Sequence, residues 1–253
     1  MFEVASHLAL LLICAAFVAG FVDAIAGGGG LITVPVLVLA GAPPLEALAT
    51  NKLQGTFGAA TAAVTYARAG HVRPTEQLGM AAVAAVAGMA GALMAQAVPA
   101  EVLRVIMPVV LVAVALFFAF KPGLTDAARA ERVRPAVFTF TAVPLIAAYD
   151  GFFGPGTGSF LMLAFVMLAG FGVLKATAHT KMLNFASNLG SLGVFAFSGA
   201  TWWAMGLAMA AAQIAGAALG ARLAMRIGAR LIKPLLVITS TGLALRMLWQ
   251  VWG

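Results

Sequence analysis

Phe21-Val22-Asp23-Ala24-Ile25-Ala26-Gly27-Gly28-Gly29-Gly30 sets a carboxylate and four consecutive glycines inside an apolar stretch. Each glycine costs a helix about 1 kcal/mol relative to alanine, so the run ends the helix that enters it. A matching break follows Asp150, where Gly151, Gly154, Pro155, Gly156 and Gly158 interrupt a second apolar stretch. Irregular backbone at membrane depth persists only where protein buries it or a wet cavity receives it. Helix ends at such breaks present unpaired N–H groups and partial positive charge, which suits an anion. The plainer reading is a tight turn at the membrane surface. A break beside a carboxylate in both halves favours the functional one.

The composition makes the membrane setting firm. Of 253 residues, 63% are hydrophobic and 9% charged, with a mean hydropathy of +1.04. Soluble domains hold about 45–50% apolar and about 25% charged residues. At roughly 20 residues per spanning helix, the chain has room for at most about ten spans with short loops. That excludes a soluble catalytic domain, a disordered tail and a nucleic-acid module. The fold class is therefore all-α, a polytopic transmembrane bundle of 8–10 helical segments. A net charge of +7 and a pI of 10.3 read as basic loops facing a cytoplasm rather than as a nucleic-acid partner. The single cysteine, Cys14, excludes an internal disulfide and a cysteine metal cluster. Met1-Phe2-Glu3 lacks the basic start of a signal peptide, so the first apolar stretch is expected to be retained. The twelve methionines read as lipid-facing or gap-filling.

Apolar segments run at about 5–26, 31–41, 47–67, 77–97, 102–120, 136–150, 159–170, 175–198, 202–221 and 231–252. The polar stretch Lys121 to Arg134 divides them, so residues 1–120 and 135–253 read as two transmembrane repeats joined by a basic linker, 121–134. Ala49 and Ala178, Lys52 and Lys181, Gly70 and Gly199, and Gly91 and Gly220 all lie 129 residues apart. Asp23 and Asp150 lie 127 apart, which implies a two-residue insertion in the second glycine loop. The pieces 31–41 and 159–170 cover only about 17 Å each, short of a roughly 30 Å hydrocarbon core. If they do not cross, each half has four spans and the loop Lys and Arg divide seven against six. If they do, each half has five, and the division is eleven against two, with only Arg104 and Arg246 opposite. The positive-inside rule favours the second, an inverted five-plus-five repeat with both termini outside.

Two polar helices carry the remaining chemistry. Ala49-Thr50-Asn51-Lys52-Leu53-Gln54-Gly55 and Ala178-His179-Thr180-Lys181-Met182-Leu183-Asn184 put a lysine into otherwise apolar spans. A lysine at mid-bilayer costs about 2.5–3.5 kcal/mol, so it usually faces a partner or a pathway. The alternative is that each snorkels to the interface from near its helix start. Lys181, Asn184 and Asn188 share one helix face, and Asn51, Gln54, Gly55 and Gly58 form a comparable one. Asp23 and Asp150 are candidates to pair with the lysines or to titrate during transport. His179 is a candidate proton carrier, or a residue hydrogen-bonded within the core; His7 and His71 do not read as ligands. Gly88 and Gly91, like Gly216 and Gly220, read as close helix contacts within the fold or between protomers of a homo-oligomer. Trp202, Trp203, Trp249 and Trp252 sit at segment ends, as an interfacial belt does.

The G-F-V-D-A-I-A-G-G-G-G-L-I-T-V-P and A-T-N-K-L-Q-G-T-F-G stretches of the first half resemble the sulfite exporter TauE/SafE family, also called the 4-toluene sulfonate uptake permease family. So do D-G-F-F-G-P-G-T-G-S-F and T-K-M-L-N-F-A-S-N in the second half. The resemblance covers nearly the whole chain. It implies a bacterial inner-membrane transporter built by duplication, moving sulfur-containing anions such as sulfite, sulfonates or sulfoacetate. Its usual description, seven to nine spans in four-plus-four repeats, disagrees with the charge count above. No Walker-type motif is present, so transport is expected to be secondary. The expected binding set is Gly28, Gly29, Asn51, Lys52, Gln54, Gly156, Thr157, Thr180, Lys181, Asn184 and Asn188. Asp23, Asp150 and His179 are the candidates for proton coupling or ion pairing. No cofactor and no metal are expected. Two other classes compete. An intramembrane enzyme would need a nucleophile–base pair or metal ligands at depth, and the sequence offers no metal triad. A non-transporting assembly subunit has no use for costly polar interiors.

Overall fold

The computed structural model describes residues 6–119 and 130–228. The apolar segment 231–252, with Arg230, Lys233, Arg246, Trp249 and Trp252, and the linker residues 121–129 lie outside the described residues. Within them the chain is helical and without strands: α1 (Ser6–Ala26), α2 (Gly29–Leu39), α3 (Pro44–Arg68), α4 (Pro74–Ala97), α5 (Ala100–Ala119), α6 (Pro135–Phe140), α7 (Ala142–Phe152), α8 (Thr157–Met167), α9 (Val173–Phe195) and α10 (Trp203–Ile227). The stretches Ser6–Ala26, Pro74–Ala97, Pro135–Phe152 and Trp203–Ile227 are long and apolar enough to cross a membrane.

Polarity is turned inside out. Leu10, Leu78, Val86, Val105, Val109, Phe140 and Leu145 are exposed, while Lys52, Asp150, Lys181 and a set of amides and hydroxyls are buried. In water this arrangement would sacrifice the main driving force for folding. In lipid it is the stable one, because hydrocarbon accepts the leucines and the interior must satisfy the polar groups.

The apolar segment read at 136–150 is divided. Pro144 has no N–H to offer the carbonyl of Phe140, and the helix breaks at Thr141, where α6 gives way to α7.

Neighbour contacts give the helix directions. Thr50 accepts a hydrogen bond from the Trp202 N–H, and Gly206 and Gly58 abut Leu53 and Gln213, so α3 and α10 run parallel. Gln77 meets His179, Ser191 meets Gly88 and Gln96 meets Val194, so α4 and α9 run parallel as well. Tyr66, near the end of α3, donates to the carbonyl of Ala24, near the end of α1. At the other end, Ala49 packs with Ala92, Ala95 and Phe195, so α3 opposes α4 and α9. Between the parallel helices α1 and α3 the chain therefore doubles back through α2, and Thr33 of α2 donates to Asn51 of α3 at 2.6 Å.

Glycines set the helix spacing. A Cβ on Gly91 would fall on the Ala148 carbonyl oxygen, and one on Gly88 on that of Ser187. Gly216 and Gly220 stand in the same way against the Phe17 and Phe21 carbonyls. These small-residue faces pack against helices of the same chain.

Candidate functional site

Both broken segments arrive at the centre of the bundle. α1 closes with the Gly27 N–H donating to the Asp23 carbonyl at 2.9 Å. Gly27 and Gly28 then take φ of 81° and 90°, and α2 starts with Gly28 as its N-cap. In the second break Gly154 and Gly156 take φ of 90° and 86°, and α8 starts with Gly156 as its N-cap. L residues with a Cβ pay about 1–2 kcal/mol in this left-handed region, so glycine is what allows the sharp return. The loops lie against one another. A Cβ on Gly27 would overlap the Ser159 nitrogen and Gly158, and Ser159 donates its hydroxyl proton to the Ala26 carbonyl at 2.8 Å.

Around this crossing the two halves exchange ion pairs. Lys52 Nζ of the first half lies 2.8 Å from Asp150 Oδ1 of the second, and Lys181 Nζ lies 2.9 Å from Asp23 Oδ2 of the first. Both ammonium groups sit under the second glycine loop: a Cβ on Gly154 would stand 2.7 Å from Lys52 Nζ, and one on Gly158 3.3 Å from Lys181 Nζ. Neither lysine snorkels. Each is held at depth by a carboxylate that cancels its charge, since an unpaired charge there would be far more expensive.

The pairs are unequal. Asp150 also accepts from Ser187 Oγ and from Asn184 Nδ2 at 3.5 Å, and its side chain is 2% exposed. Asp23 has the Gly29 N–H at 3.1 Å as its further donor, and its side chain is 14% exposed. The difference follows from sequence. On α9 Ser187 and Asn184 supply those donors to Asp150, whereas Gly55 and Gly58 of α3 have no side chain to offer Asp23.

Between the pairs lies a polar cavity of about 30 Å³. Asp23, Asp150, Gly28, Gly29, Asn51, Gly156, Thr157, Asn184 and Asn188 of the expected set line it. Asn51 Oδ1 accepts from Thr33 and, at 3.3 Å, from Gln54 Nε2. Asn188 Nδ2 donates to the Asn184 carbonyl at 2.7 Å, and Thr157 Oγ1 donates to that of Gly154 at 2.8 Å.

Other expected residues stand back from the wall. Lys52 and Lys181 are behind it, paired. Gln54 Oε1 and Thr180 Oγ1 are buried without a hydrogen-bond partner among the described residues. His179 belongs to another neighbourhood: Gln77 Nε2 lies 2.7 Å from its Nδ1, and the rings of Phe165 and Phe171 pack on it with centroids at 5.7 and 4.9 Å. Among the described residues no group of His, Cys, Asp and Glu is arranged to hold a metal ion.

Sequence reasoning passed over Thr33, Ser187 and Gln213. Ser187 was legible, three residues beyond Asn184 on the lysine-bearing face. Gln213 was legible as a lone amide in an otherwise apolar span, which usually faces a polar interior.

Comparison with known proteins gives the chain a family. The family described as Sulfite exporter TauE/SafE matches residues 12–247. The chain is 58% identical over 248 residues to "Probable membrane transporter protein ORF9" of Sinorhizobium sp, covering 98% of this chain and 95% of that one. It is 42% identical over 253 residues to "Probable membrane transporter protein YfcA" of Escherichia coli strain K12, covering 100% and 94%. A "Probable membrane transporter protein" of Haemophilus influenzae is 40% identical over 251 residues, covering 99% and 98%. No solved structure matches the chain. A multi-pass bundle with a charge-paired interior, matched along nearly its whole length, belongs to the sulfite exporter TauE/SafE family and is a membrane transporter rather than an enzyme.

Proposed function

We propose that the protein moves a small sulfur-containing oxyanion (sulfite, a sulfonate or sulfoacetate) by secondary transport across a bacterial inner membrane. The observation that carries this reading is the convergence of two helix N-termini, at Gly28 and Gly156, on one polar cavity between two neutralised lysines. With each lysine cancelled by an aspartate, the ends of α2 and α8 supply the remaining partial positive charge, part of which the Asp23 carboxylate already meets at the Gly29 N–H. Broken helices meeting near the midplane of a duplicated bundle are the usual ground plan of a transporter site. The cavity admits two or three bodies of water size at about 10–15 Å³ each, so it suits a compact head group without a bulky tail.

In this reading Gly28, Gly29, Gly156 and Thr157 offer the ends of α2 and α8, while Asn51, Asn184 and Asn188 orient the anion. Lys52 and Lys181 set the local potential, and Lys181 reaches the solute when Asp23 takes a proton or swings aside. Gln54 and Thr180 support the wall from behind. Asp23, the more exposed of the two carboxylates that line the cavity, is the proton carrier; Asp150 is a fixed strut and His179 a packed core residue.

The repeats 1–120 and 135–253, joined through 121–134, act as two inverted halves. Support comes from the opposed directions of α1 and α3 against α4 and α9, and from Arg68, Arg73, Arg132, Arg134, Lys175, Arg222 and Arg226 flanking the helix ends that face one side.

Uptake of radiolabelled sulfite and a small sulfonate into proteoliposomes, with and without an imposed pH gradient, tests the proposal. Saturable, gradient-sensitive flux that is lost in Lys52→Ala and Lys181→Ala is expected. Flux that survives in both variants rejects the site, and no flux of either anion rejects the substrate class.

A further inference from the structure

Gln213 is a polar side chain in the middle of the apolar helix α10. It is 4% exposed, it lines the central cavity, and its Oε1 has no hydrogen-bond partner among the described residues. The fold makes room for it. A Cβ on Gly58 would stand 2.7 Å from Gln213 Cγ and 2.9 Å from Nε2, and one on Gly20 2.7 Å from Cγ. Glycines on two neighbouring helices thus form a slot through which the carboxamide reaches the cavity. A buried carbonyl oxygen left unpaired is costly and uncommon, so its place on a cavity wall calls for a donor from outside the chain.

Charge narrows what that donor is. Lys52 cancels Asp150, and Lys181 cancels Asp23. The two helix N-termini that remain carry about half a positive charge each, which matches one negative charge and not two.

We infer that Gln213 contacts the transported solute, its amide N–H donating to one oxygen of the anion and its Oε1 accepting from an O–H on another. The preferred solute is then a small, singly charged oxyanion that still bears a hydrogen. This rests on the small-anion transport reading and adds to it the protonation state of the solute and the residue that reads it.

The test measures uptake kinetics in proteoliposomes for the wild type and Gln213→Met, which keeps the length of the side chain and removes the amide. Three probes separate charge from hydrogen bonding: hydrogen sulfite in mildly acidic buffer, methanesulfonate (one charge, no O–H) and sulfate (two charges). The wild type is expected to favour hydrogen sulfite. Gln213→Met raises its KM about 60-fold, about twelvefold for the N–H bond to a charged oxygen and about fivefold for the O–H bond to the neutral Oε1, and raises that of methanesulfonate about twelvefold. An equal rise for both anions would assign Gln213 to packing and overturn the inference, as would unchanged KM values or a wild type that favours sulfate. Absence of wild-type flux for all three probes sinks the anion-transport reading itself. Gln213→Glu keeps the shape and the acceptor, loses the donor and adds a negative charge. Uptake of all three anions should fall more than 25-fold in this second variant, and unaltered uptake overturns the inference even if Gln213→Met does not fold.

Discussion

Removing Lys52 should damage the protein more than removing Lys181, although each is buried in an ion pair with an aspartate. In Lys52→Met the Asp150 carboxylate, 2% exposed, keeps Ser187 and Asn184 but loses the cation 2.8 Å away. Breaking a buried pair from one side costs about 3–5 kcal/mol, because the charge left behind has neither water nor a counterion. In Lys181→Met the stranded carboxylate is Asp23, 14% exposed on the cavity, where water can take over part of the ammonium's role. About half the cost is expected there. At roughly 2–4 °C per kcal/mol for a chain of this size, Lys52→Met lowers the midpoint by about 6–20 °C and Lys181→Met by about 3–10 °C. The double variant Lys52→Met/Asp150→Asn removes both charges and leaves an amide for Ser187 and Asn184, so it should recover most of the loss. The assay is thermal unfolding in detergent micelles, followed by tryptophan fluorescence and arranged as a double-mutant cycle for each pair. Equal losses from Lys52→Met and Lys181→Met would refute the argument from burial. A double variant as unstable as the sum of its singles would refute the ion pair.

Helix spacing offers a second check. Gly91→Ala and Gly216→Ala place a methyl on the Ala148 and Phe17 carbonyl oxygens and should cost at least about 1–3 kcal/mol. Gly79→Ala, whose methyl meets nothing within 4 Å, should stabilise α4 by about 0.5–1 kcal/mol; chemical denaturation of the purified variants compares them. At the breaks, Gly28→Ala and Gly156→Ala force a Cβ into left-handed backbone at a cost of about 1–2 kcal/mol. Folded variants should lose uptake by more than tenfold, and near-normal rates would separate these turns from the transport site. For topology, cysteines placed at Gly41 and Gly199 should react with an impermeant reagent from the side opposite to cysteines at Gly70 and Gly170, with Cys14 replaced by serine. Labelling of the Gly41 and Gly170 positions from one side and of the Gly70 and Gly199 positions from the other would overturn the five-plus-five arrangement in favour of four-plus-four.

Hydropathy and backbone propensity are local properties, and what depends on them was readable along the chain. A leucine- and alanine-rich stretch of span length has one stable setting, so the membrane class and most helix limits followed from composition and spacing. Four glycines at 27–30 cannot continue a helix, so the breaks were legible too, as was the cost of burying Lys52 and Lys181. Pro144 dividing one apolar segment into α6 and α7 was equally local, and its missing N–H could have announced it.

Partnership was not readable, because it depends on how distant helices cross. Nothing near Lys52 reveals that its carboxylate is Asp150, 98 residues away, rather than Asp23, which is nearer in sequence. Only the exchange of helices between the halves decides it. The same packing sets Gln213 against Gly20 and Gly58, turns the faces of Gly88 and Gly216 inward, and draws His179 away to Gln77. Sequence determined which residues were too costly to leave alone in lipid; tertiary structure decided which of them would answer one another and which would face the cavity.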